Sequence, residues 1–141
     1  MIISPQTSYT ITHYHYLLAP LIIEKIKSIK NEVEIQGLKC VYLCDGAHYV
    51  QFLAWLDDKM AKGFKIMEWE AAWWLTEFRS KTKNYMGLAY ENISASGPHV
   101  ALPHYHPFKN GSYLIDKENP YLNDSGGQYR DGTCNTTWTM Q

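Results

Sequence analysis

The sequence has no excess of positive charge to offer a polyanion: 13 lysines and arginines stand against 14 aspartates and glutamates, a formal net charge of -1. Binding driven by phosphate neutralisation is excluded as a main activity, so nucleic acid is not an expected partner. Cysteine is scarce and odd in number, with only Cys40, Cys44 and Cys134, which argues for reduced thiols rather than a disulfide framework. Long apolar runs are missing. The stretch from Leu17 to Ile23 is interrupted by Pro20 and is too short to cross a bilayer, so no membrane contact is expected. The start, Met1-Ile-Ile-Ser-Pro-Gln, lacks the basic flank and apolar core of a secretory signal, and a cytoplasmic protein is expected. Repeats and low-complexity tracts are absent too. What is present is 45% hydrophobic and 14% aromatic residues over 141 positions, the composition of one globular domain large enough to bury a core.

Residues 1 to about 30 alternate loosely (Tyr9, Ile11, His13, His15) and then give Leu21-Ile22-Ile23 before lysines at 25, 27 and 30, a strand-like linker segment. From Asn31 the pattern becomes helical. Leu38, Tyr42, Asp45, Tyr49, Phe52, Leu53 and Leu56 recur at three- and four-residue spacing on one face. Asn31 suits the N-cap, Glu32 and Glu34 suit the positive end of the helix dipole, and Gly63 suits the stop. A second helix is predicted over 68–85, with Ala71, Trp74, Leu75 and Phe78 in register and Gly87 after its end. Trp69, Trp73 and Trp74 cannot all face one core, so accessible indole surface is expected. Beyond residue 88, Gly97-Pro98, Asn110-Gly111, Asn119-Pro120, Gly126-Gly127 and Asp131-Gly132 punctuate short extended stretches, which predict antiparallel strands and turns. The fold class is α+β, two long helices followed by an antiparallel sheet.

The chemistry-bearing residues concentrate late in the chain, in His104-Tyr105-His106-Pro107 and in the run from Asp124-Ser-Gly-Gly-Gln-Tyr129 to Cys134-Asn-Thr-Thr-Trp-Thr139. Two strands with a short connection would let groups near Asp124 and Asn135 converge, and hard divalent cations take such oxygen donors. Asp131 precedes Gly132 and reads as a turn residue. Cys40, Cys44 and His48 share a helix face, which suits either a soft-metal site or an ordinary solvated surface. His104 and His106 also share a strand face, two imidazoles without nearby partners.

Several of these motifs, in order, resemble the Xaa-Pro aminopeptidases of the creatinase and methionine-aminopeptidase superfamily. The matching pieces are Ile29-Lys-Asn-Glu-Val-Glu-Ile-Gln-Gly-Leu38, Phe52-Leu-Ala-Trp-Leu56, Glu77-Phe78-Arg79, Ile93-Ser-Ala-Ser-Gly-Pro98, His104-Tyr105 and Asp124-Ser-Gly-Gly-Gln-Tyr129. The resemblance implies a linker at 1–28 and, over 29–141, the N-terminal half of a creatinase-like pita-bread domain. It implies release of the N-terminal residue from Xaa-Pro peptides by a hydroxide held between two divalent metal ions, commonly manganese, which polarise the scissile carbonyl. Asp124 falls on a metal-ligand aspartate, Asn135 on a second one, and His104 on a substrate-binding histidine.

The departures fall on the site. Asn135 stands where the family has a bridging carboxylate, and an amide supplies one acceptor oxygen and no charge. His99-Val100 replaces Asn-Gly, Trp138 replaces an arginine, Pro103 precedes His104, and Met67 stands where a threonine often caps the second helix. The family's remaining ligands, a histidine and two glutamates, belong beyond the position of Gln141. A truncated relative, inactive alone, is therefore expected. The alternative is a non-catalytic interaction module that associates with itself or with a full-length relative.

Overall fold

The computed structural model describes residues 2–3, 17–18 and 21–141, and the alternation at Tyr9, Ile11, His13 and His15 lies outside the described residues. Contacts divide the chain into two units, Met1–Ile35 and Gln36–Gln141. In the first, β1 (Ile2–Ile3) pairs in parallel with β2 (Leu17–Leu18), and α1 spans Ile22–Ser28. The strand-like reading of Leu21-Ile22-Ile23 is thus corrected to a helix. Its isoleucines cost helix propensity only slightly, while Glu24, Lys25 and Lys27 are good helix formers. The Lys25 N–H reaches the Leu21 carbonyl at 3.2 Å to close the first turn.

Helix α2 spans Glu32–Ala61. Asn31 caps it as expected, and the cap is reciprocal: Glu34 N–H donates to Asn31 Oδ1 and Asn31 N–H to Glu34 Oε2, both at 2.9 Å. At the other end Gly63 takes φ +79°, which a Cβ disfavours. The Gly63 N–H bonds to the Met60 carbonyl and the Phe64 N–H to the Lys59 carbonyl, both at 3.0 Å, the two bonds of a Schellman stop. The buried stripe is Val41, Asp45, Tyr49, Phe52 and Leu56. Tyr42, expected in it, is 47% exposed because its hydroxyl accepts the Asn135 N–H at 3.3 Å.

Helix α3 spans Glu68–Ser80, five residues shorter than its spacing suggests. Tyr85 is taken instead into β3, opposite Tyr129, a tertiary pairing that outweighs local helical pattern. Without an oxygen-bearing cap at Met67, the first turn is closed by Glu70, whose carboxylate accepts the Met67 N–H at 2.9 Å. Ala71 and Leu75 on α3 pack with Tyr49, Phe52, Leu56, Ile66, Ile115 and Tyr121 into the main core. Trp73 and Trp74 remain 50% and 37% exposed, as their spacing predicts.

The strands are β3 (Tyr85–Leu88), β4 (Ile93–Ser96), β5 (Tyr121–Ser125), β6 (Gly127–Tyr129), β7 (Gly132–Thr133) and β8 (Thr136–Met140), with a 3-10 turn at Gly97–Ala101 after β4. They form two antiparallel sheets, β3-β6-β7 and β4-β5-β8, rather than one. The chain changes sheet at Gly126, where an added Cβ would stand 1.8 Å from the Cys134 carbonyl oxygen. Only glycine permits that approach.

Candidate metal centre

Strand β5 alternates. Tyr121, Asn123 and Ser125 are buried, and Leu122 and Asp124 point the other way. On the buried side the Ser94 and Tyr121 hydroxyls lie 2.9 Å apart, Asn123 Nδ2 donates to Tyr121 Oη at 3.3 Å, and Ser125 Oγ donates to Asn123 Oδ1 at 2.7 Å. On the other side Asp124 lies opposite Ile93 and Thr137. There it lines a cavity of about 390 Å³ with Ile93, Val100, Leu102, Pro103 and Thr137.

Asp124 and Asn135 meet at one group, the hydroxyl of Tyr90. It stands 2.5 Å from Asp124 Oδ1 and 2.7 Å from Asn135 Oδ1. A phenol has a single proton, which goes to the charged carboxylate. Turning the Asn135 amide, so that its NH2 faces the phenol oxygen, satisfies the second contact. Burial, and then the bond to Asp124, push the Tyr90 hydroxyl well above the ordinary phenol range, so it holds its proton. Tyr90 escaped sequence reasoning because nothing in its spacing links it to residues 34 and 45 positions away.

His104 does not join this pair. It is exposed in a turn, its segment forms no strand, and its ring makes no hydrogen bond to either residue. Pro103 lacks the N–H that a strand there would use. The expected shared strand face of His104 and His106 is corrected accordingly, and His106 instead approaches Glu91 at 3.6 Å. Asp131 is a turn residue, as expected, accepting from Asn84 Nδ2 at 2.7 Å. Cys40 is exposed and Cys44 half-buried, the latter with its thiol raised by burial and then by Cys40. Along the same face His48 Nε2 is 2.6 Å from Thr82 Oγ1.

Two buried charged clusters support the site. Glu68, with no exposed surface, accepts from Ser96 N–H at 2.6 Å, Tyr113 N–H at 2.8 Å and Tyr105 Oη at 2.7 Å, and lies 3.0 Å from His99 Nδ1. His99 stacks between Tyr105 and Tyr113 at 4.2 and 4.0 Å. Burial and the bond to Glu68 push the Tyr105 hydroxyl up to about 12. This cluster ties down the segment that supplies Val100, Leu102 and Pro103 to the cavity wall. The other cluster is the Arg79–Asp45 pair, bonded at 2.7 and 2.9 Å, with Tyr129 Oη donating to Asp45 Oδ1 at 2.7 Å.

A pair of divalent ions needs several oxygen or nitrogen donors for each. Asp124 and Asn135 offer one carboxylate and one amide, both already engaged by Tyr90. Among the described residues no three His, Cys, Asp or Glu side chains gather into a metal-binding group. The donors among the described residues do not fit a dinuclear centre.

The sequence profile of metallopeptidase family M24 matches residues 37–141. A probable Xaa-Pro aminopeptidase P of Tuber melanosporum is 43% identical over 84% of this chain and 19% of its own length. The Xaa-Pro aminopeptidase ApepP of Drosophila melanogaster is 44% identical over 82% of this chain and 19% of its own. Among solved structures, the X-prolyl aminopeptidase of Caenorhabditis elegans, described as a cytosolic enzyme with a di-nuclear active site, superposes with a TM-score of 0.83 at 35% identity, covering 89% of this chain and 20% of that one. The helices and antiparallel sheets match the pita-bread fold. The chain spans about a fifth of the length of the curated relatives it matches. Among the described residues no helix is long and apolar enough to cross a membrane.

Proposed function

Because the chain belongs to metallopeptidase family M24, we propose that it carries part of an Xaa-Pro aminopeptidase site and, as these 141 residues alone, does not hydrolyse peptides. Asp124 occupies a metal-ligand position, Asn135 a second that has lost its charge, and His104 a position for the peptide substrate. Residues 29–141 are the portion that corresponds to half of a creatinase-like domain, with 1–28 as linker. The observation that supports this reading is the convergence of Asp124 and Asn135 on one hydroxyl beside a cavity. Two ions, manganese by family resemblance, are the cofactors of such a site, and the cytosol is the compartment that fits the reduced cysteines. The donor set here is too small for the pair.

A manganese titration followed by electron paramagnetic resonance, with an Xaa-Pro peptide assay beside it, tests the reading. Weak or no ion binding and no hydrolysis are expected. Asn135→Asp is expected to raise ion affinity without restoring hydrolysis, since one carboxylate does not supply the other ligands. Robust cleavage by either protein would overturn the proposal. A second reading, a non-catalytic module that associates with itself or a full-length relative, is favoured by the exposed Trp73, Trp74 and Trp138. A monomer at all concentrations in sedimentation would count against it.

A further inference from the structure

Three features around Tyr90 belong together. Its turn is tied at both ends: the Ala89 N–H donates to the Gly126 carbonyl at 2.9 Å, and Asn92 Nδ2 donates to the Ala72 carbonyl and Thr76 Oγ1 of α3 at 3.0 and 2.9 Å. The phenol is therefore held against β5 and the β7–β8 connection rather than lying there by chance of rotamer. Second, its two contacts are short and fall on the two side chains read above as metal-ligand positions. Third, the charge count closes. With a carboxylate at both positions, two negative charges would face a single phenol proton, an arrangement that calls for a cation. With Asn135 one charge is gone and an N–H donor is gained, so that the amide donates to the phenol oxygen and the phenol to Asp124.

We propose that the Tyr90 hydroxyl proton takes the place between Asp124 and Asn135 that a bridging cation would occupy, closing the pair into a hydrogen-bonded cluster that a divalent ion must open in order to bind. The proposal rests on the reading of positions 124 and 135 as metal-ligand positions. It makes Asn135 part of a rearranged site with a stable hydrogen-bonded state of its own, not only a position that has lost an ion. Tyr90 is on this account a competitor of the ion.

The test uses the 141-residue chain with Tyr90→Phe, Asn135→Asp and the double variant, each checked for unchanged folding by circular dichroism. Phenylalanine keeps the ring and removes only the hydroxyl. Proton NMR is expected to show a slowly exchanging Tyr90 hydroxyl resonance that vanishes in Tyr90→Phe and shifts in Asn135→Asp. Manganese titration is expected to show affinity in the double variant about tenfold above that of Asn135→Asp alone, because the ion no longer displaces a charge-assisted hydrogen bond. A hydroxyl in fast exchange with water, or weaker manganese binding in the double variant than in Asn135→Asp, overturns the proposal while leaving the metal-ligand reading intact. If no variant binds manganese although the protected hydroxyl is present, the metal-ligand reading fails and takes the competition with it, leaving Tyr90 as a structural bridge.

Discussion

The two faces of β5 obey different rules within five residues. Tyr121, Asn123 and Ser125 are buried, and their polar atoms are bonded to one another and to Ser94. Leu122 and Asp124 look onto an open cavity. A polar group on the packed side has no water to fall back on, so each substitution there strands a partner. On the cavity side water replaces whatever is lost. A chain can therefore change its site while the helices and the packed face persist, and the departures from the family pattern at Asn135, Trp138 and His99 are compatible with an intact core. Trp138, although 53% exposed on β8, lies opposite the buried Asn123 and stacks on the buried Tyr49 at 6.1 Å, so its indole covers the packed face rather than the cavity. His99 has likewise entered a packed network, that of Glu68.

The contrast is broken most severely by unpairing the charge at the packed side. Arg79→Ala leaves Asp45 in the interior without its cation, although Tyr129 still donates to it, and a loss of about 3–5 kcal/mol is expected. Urea denaturation followed by far-ultraviolet circular dichroism measures it. A loss below about 1 kcal/mol would mean that water reaches Asp45 and that the packed side is not dry. Next comes Gly126→Ala, whose Cβ meets the Cys134 carbonyl, backbone that cannot rotate aside. A loss of about 1–3 kcal/mol is expected by the same measurement. No cost there would mean that the change of sheet at this residue is not held tightly.

Much of this architecture is legible in the residues. Asn31 and Gly63 bound α2 because capping is local chemistry, settled within one turn. The Asp124 and Asn135 convergence is legible because glycine-rich turns fold the chain back on itself there. The end of α3, the number of sheets and the hub at Glu68 are not, since each is decided by residues far away in the chain. Tyr85 reads as helix until Tyr129 pairs with it. Glu68 reads as a first-turn carboxylate until donors 28 and 45 residues away arrive. The shared strand face of His104 and His106 is not legible for a plainer reason, because their segment forms no strand and Pro103 lacks the N–H that a strand there would use.

Alkaline pH offers a milder probe of the packed side. Burial raises the Cys134 thiol from its ordinary 9.0 to about 11 and the Tyr121 hydroxyl from 10.0 to about 12. Both groups are neutral in the fold and ionise more readily once unfolded. Their contribution to stability is then complete below pH 9, declines as pH rises, and is gone above pH 12. The urea midpoint is expected to fall across that window, and Cys134→Ala is expected to remove the part of the fall between pH 9 and 10, before the tyrosines begin to ionise in the unfolded chain. A flat midpoint through pH 12 would show that these groups are reached by solvent in the folded protein.

The smallest effect is expected at the cavity. Asp124→Asn preserves the shape of the side chain and leaves Tyr90 an amide oxygen to donate to, so only the charge assistance of that bond disappears. A change within about 1 kcal/mol is expected, against several for the packed side, although Asp124 is one residue from the buried Asn123. The same substitution is expected to abolish whatever manganese binding Asn135→Asp confers, because it removes the other carboxylate. Stability nearly unchanged with ion binding lost would place the chemistry of this sheet on its solvent side. A loss of several kcal/mol would instead make Asp124 a structural group of the core, and the division between the two faces of β5 would fail at its central residue.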